Sequence, residues 1–255
     1  MSGRREDDEN RGLLSVKVLG IDTSTDTGGA ALLADKLVGE YMLGIGTEHS
    51  RMLMPAIERL MRDAGWRGEE LDAIAVANGP GSFTGLRIGV TTAKALAYAW
   101  QIPVIGVNTL EAMAWQVSGF PGVVLSALNA RRGLVFGAVY RVAAGASALP
   151  VPLRPPDNLL MTDLLQWVVE HGTEQVCVVG NVHEIFAEPL RRMLGARWVH
   201  LPQVCTVLHP AGVASLGAAC LAQGHVSTAH DAISLLPDYA RKAEAQIKWE
   251  KALRS

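Results

Sequence analysis

The first half of the chain alternates short apolar runs with segments whose apolar residues recur at helical spacing. The runs predict strands at residues 16–21, 30–34, 37–43, 73–77 and 104–107. The helical spacing predicts one helix from about residue 50 to 64 and another from about 84 to 100. A hairpin and a further strand would then lead into a β-α-β unit, which is typical of an α/β protein.

The second half repeats this order of elements. The same patterns predict strands at 123–127, 134–140 and 176–180, helices near 159–170, 183–194 and 210–223, and a connecting loop in the proline-rich stretch 150–156. We therefore expect two similar α/β lobes with mixed sheets, an order of elements that indicates internal duplication without any residue-level repeat. The predicted domains are a tail (1–13), an N-terminal lobe (14–107) completed by helix 210–223, a C-terminal lobe (108–209) and an extension (224–255).

Composition narrows the class of protein. Hydrophobic residues make up 49% of the 255 residues, so a substantial core is expected. The formal net charge of −2 argues against nucleic acid as the main source of binding affinity. The three cysteines show no metal or disulfide spacing and predict buried thiols in a reducing compartment. No apolar run is long enough to span a bilayer, so we expect a cytoplasmic protein without membrane contact.

The segment from Asn78 to Val90 places a glycine-rich turn between an apolar strand and an amphipathic helix. Such a turn presents backbone N–H groups to an anion, so Gly79, Gly81 and Ser82 are candidate nucleotide-binding residues. The segment lacks the lysine of a Walker A loop and the glycine spacing of a dinucleotide site. The alternative is a tight helix entry, in which the glycines supply unusual backbone angles and Ser82 caps the helix.

Two helices of the N-terminal half carry residues that indicate contact with a partner. Small residues recur every fourth position along the second helix and leave one face nearly flat, which invites another helix. The first helix carries methionines away from its main apolar stripe, as expected of a helix buried on two sides, whether by a partner or by its own domain. The predicted interface residues are Met52, Met54, Met61, Gly85, Gly89, Ala93 and Ala97.

Asp22 to Thr25 follow the first predicted strand and provide one carboxylate and three hydroxyl groups in consecutive residues. Asp22 and Ser24 would suit a metal-nucleotide, and an Asx or Ser/Thr turn explains the same residues equally well. The seven histidines show no HExxH or HxxxH spacing, and no GxSxG elbow nominates a nucleophile. The residues therefore predict no metal site and no catalytic group.

Several motifs together resemble the TsaB family, whose members are paralogues of TsaD in the machinery that makes threonylcarbamoyladenosine next to the tRNA anticodon. The motifs are Gly20-Ile21-Asp22-Thr23-Ser24, Glu48-His49-Ser50, Gly79 to Gly89, Ala130-Arg131-Arg132-Gly133 and Pro237-Asp238-Tyr239. The resemblance implies an actin-like, sugar-kinase-like fold. It also implies an essential non-catalytic partner of TsaD that works with the ATPase TsaE.

The resemblance also identifies departures from the catalytic relatives. Thr109 and Met113 stand where TsaD-like proteins carry two metal-binding histidines, and neither residue is a competent ligand for that metal. Asn129 stands where the family usually has an aspartate, and residues 180–183 replace a more glycine-rich adenosine loop. No cofactor is therefore expected, and weak binding of ATP or ADP stays open.

Two functions from different classes follow from these residues. The first is a scaffold that forms a heterodimer with TsaD through the helices near 50–64 and 84–100, works with TsaE, reaches tRNA only indirectly through the complex, and forms a homodimer when alone. The second is an ATP-dependent phosphotransferase or ATPase of the same fold that uses Asp22 and the Gly79 loop. A peptidase ranks last, because the sequence offers neither a metal pair nor a nucleophile.

Overall fold

A computed structural model describes residues 16–44, 49–143, 148–224 and 234–239. The predicted tail at 1–13, most of the predicted extension at 224–255 and Glu48 of the second family motif lie outside these ranges. None of the helices within them is long and apolar enough to cross a membrane.

The N-terminal lobe, lobe I, is built on a five-stranded sheet in the order β3-β2-β1-β4-β5. Strand β1 pairs antiparallel with β2 and parallel with β4, so the sheet is mixed. The strands are β1 (Val18–Asp22), β2 (Gly28–Leu33), β3 (Leu37–Leu43), β4 (Ala73–Gly79) and β5 (Val104–Asn108), and the helices of this half are α1 (His49–Ala64), α2 (Phe83–Trp100) and α3 (Thr109–Trp115).

The C-terminal lobe, lobe II, repeats the topology of lobe I in the sheet order β8-β7-β6-β9-β10. Strand β6 pairs antiparallel with β7 and parallel with β9, as β1 does with β2 and β4. The elements of this half of the chain are β6 (Val123–Asn129), β7 (Leu134–Arg141), β8 (Val151–Leu160), α4 (Met161–Glu170), β9 (Val176–Val179), α5 (Ala187–Leu194), β10 (Trp198–Val199), α6 (Gln203–Thr206) and α7 (Pro210–Ala222). The prediction of two similar α/β lobes with mixed sheets, as in actin-like and sugar-kinase-like folds, is confirmed.

The two sheets and their helices form five layers. Alternation along β1 sends Leu19 and Ile21 toward α1 and α2, and Val18 toward α7 on the opposite face. Helices α3 and α7 lie between the two sheets, and α4 and α5 cover the outer face of the sheet in lobe II. Because Gly20 has no side chain, α7 approaches β1 so closely that a Cβ there would overlap the carbonyl oxygen of Pro210.

The prediction of a loop at residues 150–156 is wrong, because this stretch begins strand β8. Its prolines are tolerated because β8 is the edge strand of its sheet, and an edge strand does not need every backbone N–H for pairing. The pairing register with β7 shifts between Gly137 and Val139, opposite Asp157 and Arg154, so the ladder is irregular around Pro155 and Pro156. The predicted helix at 183–194 starts late, at Ala187, and the short helix α3 was not predicted.

Candidate functional site: the glycine loop and the outer helices of lobe I

The glycine loop, residues 79–82, joins the end of β4 to the start of α2. The hydroxyl of Ser82 accepts a hydrogen bond from the N–H of Gly85 at 3.3 Å, so Ser82 is the N-cap of α2 as predicted. The N–H of Ser82 itself donates to the carbonyl oxygen of Ser24 at 2.7 Å. The loop is therefore tied to the turn that follows β1, and this N–H already has a partner within the chain.

Asp22 and Ser24 form a buried Asx turn. The Oδ1 atom of Asp22 accepts hydrogen bonds from the N–H of Ser24 at 2.8 Å and from its hydroxyl at 2.6 Å. The hydroxyl of Thr23 donates to the carbonyl oxygen of Gly85 at 2.7 Å, which connects the turn to the first turn of α2. All three side chains are buried. The structure thus brings the candidate nucleotide-binding residues of both segments together, and it engages Oδ1 of Asp22, the hydroxyl of Ser24 and the N–H of Ser82 within the chain.

Three glycines around the loop are each covered by a backbone carbonyl oxygen. A Cβ on Gly79 would overlap the carbonyl oxygen of Asp238, one on Gly81 that of Ser24, and one on Gly85 that of Thr23. Gly79 also has φ of +132°, a backbone angle that favours glycine. The glycines are needed because backbone passes directly over them, which favours the tight helix entry among the two interpretations of this segment.

The small-residue stripe of α2 faces the sheet of its own lobe. Ala93 and Ala97 are fully buried in the core that contains Ile74 and Val76 of β4, and a Cβ on Gly89 would overlap the hydroxyl of Thr23. The interface prediction is therefore wrong for Gly85, Gly89, Ala93 and Ala97. A flat helix face allows close approach to any neighbour, and here the neighbour is the chain's own sheet.

The methionines of α1 divide between core and surface. Met61 is 8% exposed and belongs to the core of lobe I, so its assignment to an interface is also wrong. Met52 is half-buried and Met54 is 38% exposed. On α2 the exposed large apolar side chains are Phe83 and Tyr98, the latter 67% exposed, and neither was predicted. The outer surface of this helix layer, defined by Met54, Phe83 and Tyr98, is called the outer helix surface below.

Thr109 and Met113, which stand where the resemblance places metal-binding histidines in TsaD-like proteins, lie in the interior. Asn108 caps α3 by accepting hydrogen bonds from the N–H groups of Leu110 at 2.9 Å and Glu111 at 3.3 Å. Thr109 and Met113 follow on this helix and are 0% and 1% exposed. Over the ranges that the structure describes, no group of three or more histidine, cysteine, aspartate or glutamate residues is arranged to hold a metal ion.

Asn129 ends β6 in lobe II and takes part in a local turn. Its Oδ1 atom accepts from the N–H of Arg131 at 3.0 Å, and its own N–H donates to Oδ1 of Asn181 at 2.8 Å. Arg131 and Arg132 both have positive φ, at +68° and +55°, and expose their side chains. The amide of Asn129 therefore positions backbone, and unlike a carboxylate it cannot serve as a general base.

A pocket of about 410 Å³ opens beside Gly180, which follows β9 as the glycine loop follows β4. Asn181, Gln203 and His183 give it polar groups, while Ile185 is among its apolar lining residues. Burial lowers the pKa of His183 below its ordinary value of 6.5, a backbone hydrogen bond to Val178 opposes this, and the charge of His200 adds to the lowering. The pocket is lined in part by Gly180, Asn181 and His183, where the resemblance predicts an altered adenosine loop.

Comparison with known proteins gives consistent results. A family model described as TsaD, tRNA N6-adenosine threonylcarbamoyltransferase, matches residues 45–160. The tRNA threonylcarbamoyladenosine biosynthesis protein TsaB of Bacillus subtilis (strain 168) is 34% identical over 91% of this chain and 97% of its own length. TsaB of Escherichia coli (strain K12) is 36% identical over 49% of this chain and 55% of its own length.

A similar crystal structure is that of an uncharacterized protein from Pseudomonas aeruginosa with similarity to peptidase YEAZ. It superposes with a TM-score of 0.72 and 26% sequence identity, and the match covers 89% of this chain and 100% of that one. Together with the repeated sheet topology and the glycine loop, these likenesses show that the chain belongs to the TsaB family of tRNA threonylcarbamoyladenosine biosynthesis proteins.

Proposed function

We propose that the chain is a non-catalytic subunit that binds TsaD through the outer helix surface and, together with TsaE, supports threonylcarbamoyladenosine formation on tRNA. The observation that carries this proposal is the exposure of Met54, Phe83 and Tyr98 on one helix layer of lobe I. Large apolar side chains that form a contiguous surface patch favour contact with another protein. Membership of the TsaB family supplies the pathway in which that contact is used.

The absence of a catalytic role is inferred from what the candidate groups already do. Asp22 accepts two hydrogen bonds from Ser24 at Oδ1 in a buried turn, so this oxygen already serves the local structure. Met113 is a core residue, and a thioether is a poor ligand for a hard divalent metal. These features support the scaffold over the ATP-dependent phosphotransferase.

TsaD is the proposed partner because its family model matches residues 45–160, a range that contains both α1 and α2. A partner that carries the corresponding helices can pair with this chain about an approximate two-fold axis. The same geometry allows two copies of this chain to pair when TsaD is absent. Homodimer and heterodimer would then compete for one surface.

Weak binding of ATP or ADP is assigned, as part of this proposal, to the pocket beside Gly180 rather than to the glycine loop. The pocket has room and polar groups, whereas the glycines of the loop are covered by carbonyl oxygens, which repel phosphate oxygens. Contact with tRNA is proposed to be indirect, through the complex, because a net charge of −2 provides little general attraction for phosphates.

The test is co-purification with TsaD by size-exclusion chromatography. The double substitution Met54→Glu and Tyr98→Glu places two charges on the outer helix surface and is expected to abolish the heterodimer while circular dichroism stays native. Val169→Glu is the matched control, because Val169 is a helical residue with 40% exposure in lobe II, close to the 38% of Met54. Stoichiometric co-purification of the double variant would contradict the proposal.

A further inference from the structure

Residues 234–239 lie across the glycine loop and the start of α2, although they are about 150 positions away in sequence. The N–H of Asp238 donates to the carbonyl oxygen of Asn78 at 2.6 Å, one residue before Gly79. The carbonyl oxygen of Asp238 then lies where a Cβ of Gly79 would be, so the two backbones are in direct contact. The glycine in this position permits that contact.

The same segment holds α2 at two further points. Nζ of Lys94 donates to the carbonyl oxygen of Leu235 at 3.0 Å, and Nε of Arg87 donates to the phenolic oxygen of Tyr239 at 3.0 Å. The rings of Phe83 and Tyr239 lie 4.8 Å apart, and the guanidinium carbon of Arg87 lies 4.1 Å from the centre of the Phe83 ring. Arg87 thus connects the ring of Phe83, at the start of the helix, to Tyr239 of the segment.

Alternate residues of the segment point inward and outward. Leu235 packs against the core of lobe I, and its Cδ1 atom lies so close to Gly106 on β5 that a Cβ there would overlap it. Leu236, the next residue, is 71% exposed. The segment is therefore seated by Leu235 and Tyr239 at its two ends, with Asp238 over the loop between them.

We propose that residues 234–239 form a strap, built into the fold, that closes the glycine loop and fixes the first turns of α2. With the strap seated, the carbonyl oxygen of Asp238 covers Gly79, next to those of Ser24 and Thr23 that cover Gly81 and Gly85. The side of the loop on which the glycines lack a side chain is then lined by acceptors, which disfavour a phosphate group. The shape of the loop depends on whether the strap is in place. This inference rests on the contacts of the strap and does not depend on the proposed function.

Hydrogen exchange of the full-length chain tests the strap. In the double variant Leu235→Ala and Tyr239→Ala, amides of residues 78–90 are expected to exchange about tenfold faster than in the wild type, because local opening becomes easier. Leu236→Ala is the matched control and is expected to leave those rates unchanged, because Leu236 is exposed. Amides of β6 and β7 in lobe II report whether the remainder of the fold is intact.

Three results would overturn the strap. One is unchanged exchange over residues 78–90 in the double variant. Another is equal acceleration in β6 and β7, since the segment would then support the whole fold instead of closing one loop. The third is protection of residues 79–86 in the wild type by Mg²⁺ and ADP, because the carbonyl oxygens that cover the glycines disfavour a phosphate at the closed loop. Absence of that protection supports the closure.

Discussion

The carboxylate of Glu40 on β3 accepts a hydrogen bond from the backbone N–H of Ala211 at 2.9 Å and thereby binds the first turn of α7. Its other oxygen lies 3.1 Å from Nδ1 of His209, which precedes the helix. A carboxylate at a helix N-terminus satisfies an otherwise unpaired N–H and interacts favourably with the helix dipole. One side chain thus connects the edge of the sheet in lobe I to a helix that lies between the lobes.

Replacement of Glu40 by Ala should therefore destabilise the fold. We expect a loss of about 1–3 kcal/mol, since both hydrogen bonds of a half-buried carboxylate disappear and the Ala211 N–H is left without this partner. Urea denaturation followed by circular dichroism measures the loss. Glu69→Ala is the control, because its ion pair with Arg67 is exposed and should contribute less than about 1 kcal/mol. Equal losses in the two variants would refute this role for Glu40.

Gly89 provides a test of how α2 packs. Gly89→Ala should destabilise lobe I by roughly 1–3 kcal/mol, because the added Cβ would overlap the hydroxyl of Thr23. Thr91→Ala, at an exposed position of the same helix, should have little effect. If the stripe faced a partner instead, Gly89→Ala would leave the thermal unfolding of the monomer unchanged and weaken only association.

The lowered pKa of His183 predicts a pH dependence of stability. Because the folded-state pKa lies below the ordinary value of 6.5, the unfolded chain binds the proton more readily and stability falls as pH drops below about 6.5. His183→Asn should reduce the loss of stability between about pH 7 and pH 5, measured by urea denaturation at each pH. His171→Asn, at an exposed position, is the control. Identical pH profiles for wild type and His183→Asn would show that the group does not contribute.

The thiol of Cys177 should be inert in the folded protein. Burial raises its pKa to about 12, with a contribution from Cys205, so almost no thiolate is present near neutral pH. Iodoacetamide at pH 8, followed by peptide mass spectrometry, should label Cys177 only after denaturant is added. Native-state labelling as fast as that of a free thiol such as glutathione would contradict the buried environment.

Local signals along the sequence predicted much of the fold and part of the site. The cap at Ser82 and the turn at Asp22 follow from side-chain chemistry that acts within a few residues. Periodicity identified the flat face of α2 but not its neighbour, because Gly89 would pack equally well against a sheet or a partner helix. The bond between Lys94 and Leu235 spans 141 positions, so no local pattern indicated it.

The prolines of β8 show a second limit of prediction from local sequence. Proline is tolerated in a strand that lies at the edge of its sheet. Strand β8 is such an edge strand because it pairs with β7 on one side only, and this pairing is a property of the whole sheet. The motif at Pro237, Asp238 and Tyr239 was visible in the sequence, yet its contact with Gly79 depends on the three-dimensional arrangement of lobe I. Contacts between distant parts of the chain, rather than the preferences of single residues, therefore determine both the strand at the β8 prolines and the contact of Asp238 with Gly79.

We propose that the chain supports tRNA modification by binding TsaD without a catalytic group of its own. The decisive measurement is the formation of threonylcarbamoyladenosine on tRNA by purified TsaD and TsaE, with each variant of this chain added in turn. Modification is expected with the wild type and with folded Asp22→Asn, and none is expected with the Met54→Glu and Tyr98→Glu variant or without the chain. Full modification without the chain, or its loss in folded Asp22→Asn, would show that the proposed role is wrong.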